Sequence, residues 1–389
     1  MASSSISKIT VLYIVFSSTH FDGATYSLID LIESVRESVH PIVLIPSYGC
    51  VYDCFTQKGI ECVVCDFAAN LCTNPKSIKQ WIGYIVRYIP NRINHKQKNK
   101  KCVNTLNSLL HNRKIDIVHS NSTVLTIGSD VAANLGCKYV WHLRGFMDLD
   151  FGWKPILGWK DYHKRLNRAD AVIGVTETVL RHFLPTDTSN GYAIFDAVRS
   201  KFDISFVPKK SKYFLFCAGW LTSHKGCDFA VKAFAKSQLS KKGYKLKIIG
   251  RASEKYHDSL SILIKELSLT SSVDIIPFSD NVKAEMENAS AFLMCSENEG
   301  LGRVTVEAMF YGCPVIGRNS GGTKDIISHG NTGFLYNTIE ECAQHMVAIT
   351  QSDNATIIKS AQEFAIHNFA KEDYGNKIYS VYSTILTQK

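Results

Sequence analysis

The stretch SENEGLGRVTVEAMFYGCPVIG, residues 296–317, sets one glutamate just before a Gly-x-Gly turn and a second on the first turns of the helix that follows. Glu299 precedes Gly300-Leu301-Gly302, and a helical pattern begins at Arg303 and carries Glu307. Backbone N–H groups at a helix start have no partner inside the helix and attract anions. Two carboxylates around such a mouth suit a ligand bearing both phosphates and hydroxyls. The apolar runs SAFLMC (290–295) and CPVIG (313–317) on either side read as strands, so the segment is one strand–loop–helix–strand unit of an α/β fold.

That alternation extends along the chain. Apolar runs without a polar face, which mark strands buried on both sides, include ITVLYIVF (9–16), PIVLIP (41–46), ECVVC (61–65), DIVHS (116–120), KYVWHL (138–143) and AVIGV (171–175). Helical stretches such as 25–39 and 123–135 separate them. A polar, proline-containing segment at 199–212 reads as a linker. A second set then follows with YFLFCAG (213–219), KLKIIG (245–250) and VDIIPF (273–278). The expected architecture is α/β, with two Rossmann-like doubly wound domains facing across a cleft. The domains are expected at 1–200 and 201–369, with a terminal helix at 370–389 packing back on the first.

The 389 residues are too many for one ordinary core, and 45% hydrophobic with 20% charged content describes a globular chain. The net charge of +9 is unevenly placed. No acidic residue occurs between Asp66 and Asp116, a stretch that holds Lys76, Lys79, Arg87, Arg92, Lys96, Lys98, Lys100 and Lys101. Beside the apolar run 81–86, the block 76–101 admits two readings: contact with an anionic membrane, or a solvated basic helical face. It carries no recognisable nucleic-acid-reading motif. No apolar run reaches the ~18 residues of a membrane span, and 9–16 reads as a buried first strand rather than a leader. Twelve cysteines lack framework spacing, and Cys62-Val-Val-Cys65 has no second pair to complete a zinc site. A reducing, cytoplasmic compartment is expected, with the chain peripheral on the inner face of a membrane if the basic block binds lipid.

Three strand ends in the second half are glycine-marked: Ala218-Gly219-Trp220-Leu221-Thr222-Ser223-His224-Lys225-Gly226, Glu299-Gly300-Leu301-Gly302 and Asn319-Ser320-Gly321-Gly322-Thr323. Any one alone reads as an ordinary βα turn. Three in succession, with Lys225 and Glu299 at their mouths, point to a nucleoside diphosphate ligand.

With these loops in view, 296–336 (SENEGLGRVTVEAMFYGCPVIGRNSGGTKDIISHGNTGFLY) resembles the donor-site signature of the retaining glycosyltransferase family 4, the group 1 glycosyltransferases of GT-B architecture. The likeness continues through CAGWLTSHKGCDFAVKAF and KLKIIG, and into DIVHSNS, KYVWHLRG and RADAVIGVTE. The resemblance implies an enzyme that moves a sugar from a nucleotide sugar (UDP- or GDP-linked) to a glycan or lipid-linked acceptor, with no cofactor and no metal. By the same resemblance Glu299 meets the donor sugar hydroxyls, Glu307 holds the ribose, and Lys225 neutralises the leaving diphosphate. Gly300, Leu301, Gly302 and Arg303 face sugar or phosphate, His142 touches the sugar, and the backbone around Phe278 meets the base. Two departures stand out. Trp220 occupies a position where relatives carry an arginine, for which Arg303 or Arg144 are candidate substitutes. The first βα loop, HFDGATYS (20–27), keeps a single glycine, Gly23. Asp148-Leu149-Asp150 spells a metal-binding triplet that this architecture does not use. Rival readings are a non-catalytic nucleotide-sugar-binding subunit, prompted by Trp220, and a nucleotide-sugar 2-epimerase.

Overall fold

The computed structural model describes residues 8–73, 78–186, 188–208 and 210–388, and between 78 and 85 the backbone alone. The chain divides into two compact units, one running to Ala197 and resuming at Glu372, the other Val198–Lys371. In the first, a seven-stranded sheet has the order Glu61–Val64, Val39–Ile45, Ile9–Ile14, Ile117–Ser120, Lys138–Leu143, Ala171–Gly174, Gly191–Ala193. In the second, six strands run Val273–Ile276, Lys245–Arg251, Tyr213–Trp220, Ala291–Met294, Val315–Arg318, Phe334–Tyr336. Every neighbouring pair in both sheets is parallel. Parallel neighbours require crossovers, and the helices between the strands cover the sheet faces. These are two Rossmann-like α/β domains.

The strands form where β-branched and aromatic residues run unbroken. Val11, Leu12, Tyr13 and Ile14 are wholly buried, as are Phe214, Leu215, Phe292 and Leu293. Each fully buried side chain of this size contributes roughly 1.5–3 kcal/mol. The Lys371–Thr387 helix has its apolar face (Tyr374, Ile378, Val381, Tyr382, Ile385) in the same core as Val11 and Tyr13, which ties the chain end to the first unit. In each sheet the strand order reverses at one place: between Ile9–Ile14 and Ile117–Ser120, and between Tyr213–Trp220 and Ala291–Met294. Loops leaving the carboxyl ends of strands at such a reversal diverge and leave a crevice for a ligand.

The expected linker at 199–212 is not one. The Val198 N–H donates to the Phe369 carbonyl (2.9 Å), the Lys371 N–H to Arg199 (3.0 Å), and the Ser205 N–H to Phe310 (3.2 Å). The segment belongs to the second unit: Lys210 Nζ donates to the Glu287 (2.6 Å) and Gly312 (2.8 Å) carbonyls, while most of its other described residues are exposed. Short strands at Gly191–Ala193 and Phe334–Tyr336 went unread because three residues carry too little periodicity. All twelve cysteines are free thiols. Among the described residues no helix is long and apolar enough to cross a membrane.

Candidate active site

The two loops at the reversal in the second sheet carry the charged pair. After Tyr213–Trp220 the chain makes a short 3₁₀ turn, Ser223–Lys225, closed by Gly226 at φ +77°. A Cβ there would lie 2.3 Å from the Cys295 carbonyl oxygen, so only glycine lets this turn rest on the end of the Ala291–Met294 strand. The same contact brings Lys225 over the Glu299 loop, where its Nζ donates to Glu299 Oε2 at 2.7 Å. On the other side the Gly322 N–H donates to the Glu299 carbonyl (2.7 Å). Gly321, at φ +55°, passes so close to the Glu299 backbone that a Cβ would sit 2.8 Å from its oxygen. All three glycine-marked loops therefore converge on Glu299.

Gly302, at φ +74°, opens the Arg303–Phe310 helix as an N-cap without a side-chain cap. Leu301 is buried beneath it, with Gly300 and Gly302. Glu307, one turn further on, accepts a hydrogen bond from Arg199 Nη2 at 3.1 Å. Arg199 also lies over the Tyr311 ring, 5.6 Å from its centroid. Burial raises the Glu307 carboxyl above its ordinary value, against the pull of Arg199 and Arg303. Phe278 stands in the loop after Val273–Ile276 and is 61% exposed, with the Arg251 guanidinium 5.7 Å from its ring centroid. Trp220 is 55% exposed, and its partner in strand register is Arg251.

In the first unit the predicted residues are placed differently. Arg144 is not an open phosphate ligand: its guanidinium pairs with Asp196, donates to Asn121 Oδ1 (3.0 Å from Nε, 2.5 Å from Nη2) and reaches the Tyr374 hydroxyl at 3.4 Å. Burial works against this charge, and Asp196 and Tyr374 outweigh it, so the Arg144 pKa is raised. His142 is wholly buried, its Nδ1 3.3 Å from His119 Nε2, and His119 Nδ1 lies 2.7 Å from the Tyr382 hydroxyl. Burial, then Arg144, lowers both histidines well below the ordinary value, so both are neutral. His142 thus sits inside a polar relay rather than at a surface that a sugar could touch. A strand-end histidine looks the same in sequence whichever way it faces. Gly23 begins the Gly23–Val35 helix, but the Asp22 carboxylate already accepts from Thr25 N (2.7 Å), and a negative charge at that mouth opposes a phosphate there. Asp148 of the acidic triplet bonds His182 Nε2 at 2.9 Å, and no metal-holding group of three or more His, Cys, Asp or Glu occurs among the described residues.

Residues 198–361 match the family described as glycosyl transferases group 1, and residues 51–187 match glycosyltransferase family 4. The chain belongs to these glycosyltransferases. An uncharacterized glycosyltransferase of Haemophilus influenzae is 31% identical over 176 residues, 44% of this chain and 48% of that protein. N-acetyl-alpha-D-glucosaminyl L-malate synthase of Bacillus anthracis is 30% identical over 155 residues, 40% of each chain. The chain spans about half the length of the curated relatives it matches. The crystal structure of Anabaena HepE in complex with UDP shares the fold, with TM-score 0.75, 19% identity, and 97% of this chain and 100% of that one covered.

Two residues of this group 1 glycosyltransferase escaped the sequence reading. Arg199 opens a polar, proline-containing segment whose sequence pattern is that of a linker. Arg251 follows the strand glycine Gly250, and only strand register shows that it flanks Trp220. Glu307 makes a pH prediction. The family resemblance assigns Glu307 to a ribose, and only its carboxylate is a pure acceptor for such hydroxyls; on that assignment nucleotide affinity is expected to fall as pH drops through its raised pKa. The sign for the unliganded protein is opposite: a carboxyl raised by folding contributes stability below its unfolded pKa and loses it as pH rises through the folded one. Titrating nucleotide at neutral and successively lower pH checks this, and Glu307→Gln is expected to flatten the dependence; an unchanged slope in that variant would assign it to another group.

Proposed function

We propose that the chain transfers a sugar from a UDP- or GDP-linked donor to a hydroxyl of a glycan or lipid-linked saccharide, with retention at the anomeric carbon and without a metal. The observation that carries this reading is the 2.7 Å pair of Lys225 and Glu299 at the reversal of the second sheet. A cation and an acceptor carboxylate side by side match the two ends of a sugar diphosphate. In the reaction Lys225 turns to the leaving diphosphate, whose charge grows as the glycosidic bond breaks. Glu299, released from that pairing, accepts from the sugar hydroxyls. Glu307, held by Arg199, takes the ribose, and Phe278 with Arg251 lies at the base. Arg251 also answers the departure at Trp220, because it brings a cation to the strand end where relatives have an arginine. The HepE complex with UDP supports a uridine donor.

A lipid-linked acceptor is supported by the Ile78–Leu109 helix. Val86, Ile89 and Ile93 are 68%, 63% and 49% exposed on one face, among Arg87, Arg92, Lys96 and Lys100. Such a face suits an anionic bilayer surface. Lys76 and the Lys79 side chain lie outside the described residues. The test is transfer from the accepted donor to hydroxyl acceptors in vesicles with and without phosphatidylglycerol, with the product linkage read by proton NMR. A retained anomer, formed faster on the anionic vesicles, is expected. An inverted anomer contradicts retention, and an epimerised sugar without transfer contradicts the transferase reading.

A further inference from the structure

A cavity of about 200 Å³ lies inside the first unit, between the Ile78–Leu109 and Ile127–Leu135 helices, with Leu157 and Arg165 on its remaining wall. His95 lines it and is 4% exposed. The neighbouring Asn99 amide is oriented by the backbone: the Ala68 N–H donates to Asn99 Oδ1 (2.8 Å) and Asn99 Nδ2 donates to the Ala68 carbonyl (3.0 Å). Nδ2 is therefore the atom 3.3 Å from His95 Nε2, which must accept. Burial, then the Arg165 charge, lowers the His95 pKa to about 4, so at neutral pH the ring has one proton, and that proton sits on Nδ1. His95 Nδ1 has no hydrogen-bond partner. A buried N–H without an acceptor is costly.

Positive charge outweighs negative around the cavity, where Arg165 also pairs with Asp161 at 2.8 Å. Asp130 is the acidic lining residue, and its carboxylate is taken by Arg165 at 2.6 Å. Lys96 and Lys100 line the same cavity, and among the described residues neither has an ion-pair partner. Val103 and Leu157 make the wall apolar. The cavity is smaller than the ~300–1,000 Å³ of pockets for drug-sized ligands, which suits a head group. We propose that this cavity binds an organic phosphate, with His95 Nδ1–H and the Lys96 and Lys100 ammonium groups on its oxygens and Val103 and Leu157 against its carbon. A tetrahedral anion offers acceptors in several directions to donors that arrive from different sides, and ammonium groups bind phosphate as point charges. The proposal is independent of the function assigned above to the second unit.

The test is calorimetric titration of the full chain with inorganic phosphate, sn-glycerol 3-phosphate and butyrate, and flotation with phosphatidylglycerol or phosphatidylcholine vesicles. Saturable binding of glycerol 3-phosphate is expected and means a free organic phosphate; vesicle binding that needs phosphatidylglycerol means a lipid head group in the cavity only where His95→Leu and Val103→Trp, which leave the outer face of the helix unchanged, abolish it. In His95→Leu, in Val103→Trp and in the surface variant Lys96→Gln/Lys100→Gln, affinity is expected to drop about tenfold or more, while Lys225→Ala leaves it intact. The double lysine variant keeps the test valid if a buried substitution fails to fold. Equal binding of butyrate, binding lost in Lys225→Ala but kept in the cavity variants, or no saturable binding by any probe would overturn the proposal.

Discussion

Lys225→Ala is expected to lower kcat about 10²- to 10³-fold, the scale seen when one fixed partner of a developing negative charge is removed. Lys225 is positioned by a backbone contact that tolerates only glycine at 226, so its ammonium has no ready substitute at the Ser223–Lys225 turn. Its removal also leaves Glu299 without its 2.7 Å partner. Lys225→Arg keeps the charge in a different shape and is expected to recover part of the loss. Steady-state kinetics with the accepted donor separates the cases. A loss in KM alone would mean that Lys225 binds the diphosphate equally in ground and transition states. Near wild-type kcat in both variants would remove it from the leaving group.

The second large effect is on stability. Arg144→Ala is expected to destabilise the first unit by about 3–5 kcal/mol, because it strands a buried carboxylate rather than merely deleting a contact. Asp196 is 4% exposed, and it would keep the Tyr374 hydroxyl, 2.9 Å away, and the buried His142 ring, whose Nε2 lies 4.0 Å away. The double change Arg144→Met/Asp196→Leu removes both charges and is expected to cost much less. Urea unfolding followed by tryptophan fluorescence reads both. A single-variant loss under about 1 kcal/mol, the scale of an exposed pair, would show that the site is open to water.

The two cases show what sequence can and cannot carry. The strand cores were legible because KYVWHL and YFLFCAG have no polar face, and the three glycine-marked loops were legible because positive φ at Gly226, Gly302 and Gly321 leaves a residue-type trace. Which way a side chain points at a strand end leaves none. His142 and Arg144 read as ligand-facing, yet their partners come from elsewhere along the chain: His119 stands 23 residues before His142, and Asp196 and Tyr374 stand 52 and 230 residues after Arg144. Arg199 comes 108 residues before Glu307 and looked like part of a polar linker. The His95 cavity is assembled from separate helices, and in sequence only its lysines were visible, as a charge run.

The measurement that tests the central claim most directly is calorimetric titration of the purified chain with UDP, GDP and ADP, beside Glu307→Ala. The account predicts saturable binding of UDP or GDP at one site, weakened about tenfold or more when the Glu307 carboxylate is removed. Absence of binding by all three, or binding that Glu307→Ala leaves unchanged, would contradict it.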